Sequence, residues 1–229
     1  MNRRTTLIAG ASVLALPLLL AAPAQASHYD LDTMADNMMT AADASTVGVA
    51  GNHVKEFINL SGSKESPLRI WLCDLEGTTE IEVDGPMNYY AMTYASDKKN
   101  VENLAQQELF EYASEDEARK VMKQINKLSK KCEGTFTVKH DGGWTSTQKV
   151  SHGTGKTSDG AAFVWIKHTN TVKEQGTGVA EHEYSTFRQV GPFIQTVEID
   201  VEGVDAPRLS SSQIKGINKL TGPLGNVWG

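Results

Sequence analysis

Between Gln106 and Cys132 the hydrophobic positions change period. Leu109, Phe110 and Tyr112 are interleaved with Glu108 and Glu111, which reads as a strand. From Ala118 onward the apolar residues Ala118, Val121, Met122, Ile125 and Leu128 recur at helical spacing, while Arg119, Lys120, Lys123, Lys127, Lys130 and Lys131 fall on the wet side. Ser114 stands where an N-cap belongs, and Glu117 three residues later completes the sequence of a capping box. Acids fill the first turn and lysines the last, which suits the helix dipole at both ends. The stretch therefore predicts a strand, a sharp turn and a capped amphipathic helix that ends on Cys132.

The remaining pattern is arranged around this unit. Asp32 to Ala42 predicts a short helix with Met34, Met38, Met39 and Ala42 on one side. His53 to Leu60 is consistent with either a strand or a helical turn. Leu68 to Cys73 and Thr78 to Val83 read as short strands, and Met87 to Tyr94 as an aromatic-rich strand that packs on a core. Ser96 to Asn103 reads as a polar connection. After Cys132 come strands at Thr135–Lys139, Trp144–Ser151, Ala161–His168, Glu183–Val190 and Phe193–Val201. They are separated by the turn Asp141-Gly142-Gly143, the loop His152 to Gly160, the polar turn Lys173 to Gly178, and Gly191-Pro192. Ser210 to Leu220 closes the chain as a helix with Ile214, Ile217 and Leu220 on its apolar side and Gly216 as a flaw. The links after Cys132 are too short for the helical crossovers of a parallel sheet. The order predicts an α+β fold: a twisted antiparallel sheet packed by a long central helix plus N- and C-terminal helices.

Composition adds a compartment. Arg3 and Arg4, the apolar run Leu7 to Ala22 and the small-residue site Ala24-Gln25-Ala26 read as a signal peptide over residues 1–26, exported by ordinary secretion. Residues 27–229 then form one secreted domain, with 27–50 as a mobile N-terminal segment and no membrane insertion after cleavage. The formal net charge is −6, and it falls two units further once Arg3 and Arg4 leave. Such a balance disfavours nucleic acid as a partner. Cys73 and Cys132 are the two cysteines, and a lone exported pair is expected to form a disulfide. Metal ligation or a nucleophilic thiol is the competing reading, though companion ligands at the right spacing are missing. Closing that loop would contribute on the order of 4 kcal/mol in the chain-entropy account.

Candidate chemistry is sparse. Gly153-Thr-Gly-Lys-Thr157 imitates the end of a phosphate-binding loop, but Val150 stands where its first glycine is required, so a solvated hairpin turn is the reading. Asn59-Leu60-Ser61 matches a glycosylation sequon. The six histidines show no helical zinc pairing, and Glu181-His182-Glu183 reads as alternating polar residues on a strand rather than as a metal clip. No nucleophile elbow is present, and the acids Asp84, Asp141 and Asp200 are not paired by any motif. The expectation is therefore no catalytic residue, no metal and no cofactor. Tyr89 and Tyr90 are adjacent, so only one of them can face the core from a regular strand. With Trp165 and with Arg188, whose guanidinium could hold a carboxylate or phosphate, they form the candidate ligand-binding set.

These features together resemble the extracellular sensor domain of PknH-type actinobacterial serine/threonine kinases and their free-standing secreted relatives. The resemblance is carried by Met38-Met-Thr-Ala-Ala-Asp43 ahead of a cysteine-bearing strand, Phe110-Glu-Tyr-Ala-Ser-Glu-Asp-Glu-Ala118 leading into a helix that ends on Cys132, the Gly-Pro hairpin between Arg188 and Val197, and the closing helix. It implies pairing of Cys132 with Cys73 and a cleft for an extracellular ligand. One departure is that the family's second disulfide has no counterpart here, so the Trp144 to Phe163 region is expected to differ in shape. The function implied is non-catalytic binding of a small extracellular or cell-envelope ligand, without a kinase domain in this chain. The alternative is a secreted or envelope-associated protein–protein interaction module, such as an inhibitor or surface factor.

Overall fold

The computed structural model describes residues 35–49, 53–61, 69–71, 80–82, 88–98, 101–139, 145–174 and 177–222. The expected signal peptide, Cys73, Asp84 and the turn expected at 141–143 lie outside the described residues. The elements in chain order are α1 (Ala41–Thr46), β1 (His53–Ser61), β2 (Arg69–Trp71), β3 (Glu80–Glu82), β4 (Asn88–Lys98), β5 (Val101–Glu111), α2 (Glu115–Cys132), β6 (Gly134–Lys139), β7 (Thr145–Lys156), β8 (Ala162–Glu174), β9 (Thr177–Val190), β10 (Phe193–Val204) and α3 (Ser211–Leu220). Among the described residues eight strands form one sheet in the order β1-β4-β5-β10-β9-β8-β7-β6, and β2 pairs with β3 as a separate ribbon. Every neighbouring pair is antiparallel. The α+β layout is the one that the period changes in the sequence predict.

Alternation along the strands gives the sheet two cores. On one face β4 places Tyr90, Met92 and Tyr94 beside Ala105 and Leu109 of β5 and Phe193, Val197, Ile199 and Val201 of β10. Met38, Met39, Val47, Val49 and Ile217, from the two ends of the chain, cover them. On the other face Phe110, Ile194, Phe187, Val164, Ile166 and Val150 meet Ala118, Val121, Ile125 and Cys132 of α2. Full burial of a side chain such as Ile125 stabilises by roughly 1.5–3 kcal/mol. The α2 helix starts where the sequence places it, with the Ser114 hydroxyl accepting the Glu117 N–H at 3.2 Å. It lies across β7 to β10.

Four expectations change. The helix expected over Asp32 to Ala42 breaks: a helical turn at 35–37 gives way to extended chain, and α1 begins after Thr40, whose side chain and Asp43 form a capping box. That break aims Met38 and Met39 into the core and leaves Ala42 exposed. Residues 35–49 therefore carry core side chains, unlike the mobile segment expected for 27–50. In the polar stretch expected as a connection, residues 96–98 and 101–103 are the paired ends of β4 and β5, with Lys98 opposite Val101. His152 to Lys156 continues β7 rather than forming a loop. Its glycines are there for close approach, since a Cβ on Gly153 would overlap the Trp165 ring and one on Gly155 the Phe163 ring.

The closing helix is fixed to β9. Tyr184 Oη donates to Asn218 Oδ1 at 2.8 Å, the Thr186 and Thr221 hydroxyls lie 2.6 Å apart, and Arg188 Nη1 donates to the Thr221 carbonyl at 3.1 Å and to the Gly222 carbonyl. Gly216, read as a flaw, is a contact point: a Cβ there would stand 2.6 Å from Val47 Cγ1.

Candidate functional site

Beyond the apolar footprint of α2 the same face of the sheet turns acidic, and the strand register says why. Glu108 of β5 stands opposite Thr196 of β10, Glu198 opposite Ser185 of β9, Asp200 opposite Glu183, and Glu202 opposite Glu181. Across the next ladder Glu183 faces His168 of β8, and Glu181 faces Asn170. Residues directly opposite in an antiparallel pair point to the same side. Strand pairing thus draws Glu108, Glu181, Glu183, Glu198 and Asp200 into one half-buried floor.

Neutral donors hold these carboxyl groups. Tyr89 Oη donates to Glu108 Oε1 at 2.5 Å, Gln106 Nε2 donates to the same oxygen at 3.1 Å, and the Thr196 hydroxyl donates to Glu108 Oε2 at 2.7 Å. The Ser185 hydroxyl lies 2.5 Å from Glu183 Oε1 and 3.1 Å from Glu198 Oε2, so one hydroxyl group bridges two acids. Asn170 Nδ2 donates to Glu181 Oε2 at 3.4 Å, and His168 Nδ1 lies 3.7 Å from Glu183 Oε2. Among the described residues no lysine or arginine pairs with any of these five carboxyls.

The electrostatic result is that Glu108, Glu181, Glu198 and Asp200 resist ionisation. Burial raises the Glu108 carboxyl above its ordinary value, with the bonds from Tyr89 and Thr196 opposing the shift. Burial, with Glu183 and Glu108 beside it, raises Glu198 well above the usual carboxylate range. Asp200 is pushed up to about 7 by burial and by Glu181, Glu183 and Glu202. Glu181 is raised by burial, with His168 and Asn170 acting the other way. Clustered perturbed groups of this kind mark functional sites more often than chance surface.

Within the floor, His168, Glu181 and Glu183 each offer one ligand atom, all within 4.8 Å of one another. Metal–ligand bonds of about 2.0–2.2 Å place donor atoms about 3–4 Å apart, so small side-chain movements would close the triad on a cation. The Glu181-His182-Glu183 segment supplies both carboxylates, but alternation sends His182 to the opposite face and the histidine comes from β8. That cross-strand partner is what local reading misses. The one signal was the pair of glutamates two residues apart, without the register that supplies the histidine.

The four sequence candidates do not converge. Tyr89 is half-buried, tilted against Phe110 with ring centroids 5.1 Å apart, and is the one that touches the floor. Tyr90 is core, 2% exposed, with its hydroxyl 3.4 Å from Glu111 Oε2. Trp165 lies on the other face, stacked on Tyr184 with ring centroids 6.0 Å apart. Arg188 is buried on that other face too, its Nη2 donating to Asp159 Oδ2 at 2.7 Å while Nη1 holds the end of α3. Cys132 is wholly buried on the last turn of α2, and its expected partner Cys73 lies outside the described residues. Asp200 belongs to the acidic floor.

No family model matches the chain, and no curated protein matches it in sequence. Among solved structures it is similar to the extracellular domain of PknH from Mycobacterium tuberculosis, with a TM-score of 0.52 at 12% identity over 84% of this chain and 94% of that one. At that identity the likeness is one of fold. Among the described residues no helix is long and apolar enough to cross a membrane. The fold is thus of the kind found in the extracellular domain of PknH.

Proposed function

We propose that this chain is an exported, non-catalytic binding domain of the PknH sensor type that takes a divalent cation on its acidic floor. His168, Glu181 and Glu183 supply the ligands, and Cys73 pairs with Cys132 to staple α2. The likeness of fold supports the sensor reading, and the triad carries the ligand class: three donors within 4.8 Å, set among carboxyls that no lysine or arginine compensates in the described residues. This departs from the expectation that the chain holds no metal, which rested on spacing along a single strand.

One imidazole and two carboxylates suit a first-row cation such as Zn2+ or Mn2+ better than Ca2+, which asks for six to eight oxygens. Three protein ligands leave a position for water or for a donor brought by a second molecule. Ser185 and Asn170 hold the two carboxylates from behind, as second partners of metal ligands do. The interaction-module alternative would be favoured by an exposed apolar patch. Among the described residues Val204, at 43% exposure, is the one large apolar side chain left in solvent, which offers it little.

The test is calorimetric titration of the mature protein with Zn2+, Mn2+ and Ca2+ in turn. Saturable binding of one equivalent of Zn2+ or Mn2+, lost in Glu181→Gln with Glu183→Gln while the melting temperature of the metal-free protein holds or rises, is the expected result. No binding at millimolar metal, or equal binding by the double variant, would remove the reading.

A further inference from the structure

The strands that send acids to one face send cations to the other. Directly opposite one another across β7, β8 and β9 stand Lys149, Thr169 and His182, and in the next row Ser151 stands opposite Lys167. Lys167, Thr169 and His182 are each one residue out of step with His168, Glu181 or Glu183, and Lys149 and Ser151 stand opposite Thr169 and Lys167, so all five share the face opposite to the acidic floor. Arg208, from the connection that follows β10, completes the ring. Together they line a pocket of about 210 Å³.

Its composition is selective. Three of the six lining residues are cationic, two carry hydroxyl groups, and none is a carboxylate, in a chain whose acids outnumber its bases by 28 to 22. Among the described residues neither Lys149, Lys167 nor Arg208 forms an ion pair. The floor is fixed: His182 is 5% exposed, hydrogen-bonded to the Ala206 backbone and with Nδ1 3.3 Å from Thr169 Oγ1. Lys167, Thr169 and Ser151 form half-buried walls, and Lys149 and Arg208 an exposed rim. Bringing three like charges around one cavity is unfavourable unless an anion answers them.

We propose that this pocket binds a phosphate group, either free phosphate or a phosphomonoester. A dianion matches the charge of three cations better than a lone carboxylate, and its oxygens can accept from Lys149, Lys167, Arg208, Ser151 and Thr169 at once. A volume of about 210 Å³ is below the range of drug-sized ligand sites and suits one oxyanion with a small attached group. The guanidinium of Arg208 offers the two-pronged contact that phosphate favours.

The experiment is a titration of the mature protein with inorganic phosphate, followed by calorimetry and by the backbone amide resonances of Ser151, Lys167 and Thr169. Saturable binding of one phosphate at micromolar to millimolar concentration, with these amides moving and with Lys167→Gln plus Arg208→Gln weakening it about 100-fold, is the expected result. Neither side chain has an ion pair in the described structure, so an unchanged melting temperature shows that the double variant still folds. Absence of binding at millimolar phosphate, or equal binding by the folded double variant, overturns the proposal. A second arm separates the sources: co-sedimentation with phosphatidic acid vesicles, absent with phosphatidylcholine and displaced by free phosphate, points to a lipid headgroup. Phosphate binding without co-sedimentation points to a soluble phosphate compound. Since the acidic floor takes no part, failure here leaves the cation reading intact.

Discussion

Arg188 spends its guanidinium inside the molecule. One nitrogen holds the last carbonyls of α3 and another reaches Asp159 in the turn between β7 and β8, so a single side chain ties three parts of the chain together. Truncation would leave buried carbonyl groups without their donor. Arg188→Ala is therefore expected to lower stability by about 2–4 kcal/mol, read as a fall in denaturation midpoint at unchanged slope, without altering cation binding on the opposite face. A lysine at this position cannot serve both partners and is expected to recover less than half of that loss. Tyr89 behaves differently. Its hydroxyl is one of three donors on Glu108, so Tyr89→Phe removes a charge-assisted bond and is expected to cost about 1–2 kcal/mol in urea denaturation above pH 7, with less effect at pH 4 where Glu108 is protonated. Strand alternation, a local rule, sends Tyr89 and Tyr90 to opposite faces; each face carries a core, and only one of the two tyrosines enters its core completely. Which one does so, and what the other touches, depends on the β4–β5 register and is not written locally.

At the scale of elements, helix α3 turns on close approach. In an exposed helix Gly→Ala stabilises by about 0.8–1 kcal/mol through propensity. Gly216→Ala is expected to do the reverse and lower the melting temperature, because the added methyl would stand 2.6 Å from Val47 Cγ1 where α1 crosses. Gly153→Ala should likewise destabilise, by about 1–3 kcal/mol, as the new Cβ meets the Trp165 ring. An unchanged midpoint for either variant would show that the neighbouring side chain can yield. The same contrast explains what was legible. Helix α2 announces itself through cap, period and charge, all within a few turns of chain, and the structure places it where those signals do. The end of β7 does not, because its glycines serve packing against β8 and look like a turn when read alone. The acidic floor is less legible still, for its members come from β5, β8, β9 and β10 and meet only once the sheet has formed. In sequence each is an ordinary glutamate or aspartate beside an apolar residue.

At the scale of the whole molecule the sheet separates charge: on β8 and β9, alternate residues carry His168, Glu181 and Glu183 to one side and Lys167, Thr169 and His182 to the other. If Cys73 staples α2 through Cys132, the double change Cys73→Ser with Cys132→Ser should remove about 2–5 kcal/mol, and an unchanged melting curve would discard the staple. The floor sets a pH dependence with a definite sign. Asp200, Glu198, Glu181 and Glu108 have folded-state values above their unfolded ones, so their contribution to stability is full below about pH 4 and is lost as pH rises, for Asp200 through about 7. The cation proposed for His168, Glu181 and Glu183 would take the place of the proton on Glu181 and offset the charge of the neighbouring acids. The most direct measurement is the melting temperature of residues 27–229 with Zn2+ or Mn2+ and with chelator, compared at pH 4.5 and pH 8. Cation at about 100 times its dissociation constant should raise the melting temperature at pH 8 by roughly 5–10 °C. It should do little at pH 4.5 and nothing at either pH in Glu181→Gln with Glu183→Gln. Melting curves that coincide with and without cation at pH 8 would contradict the account.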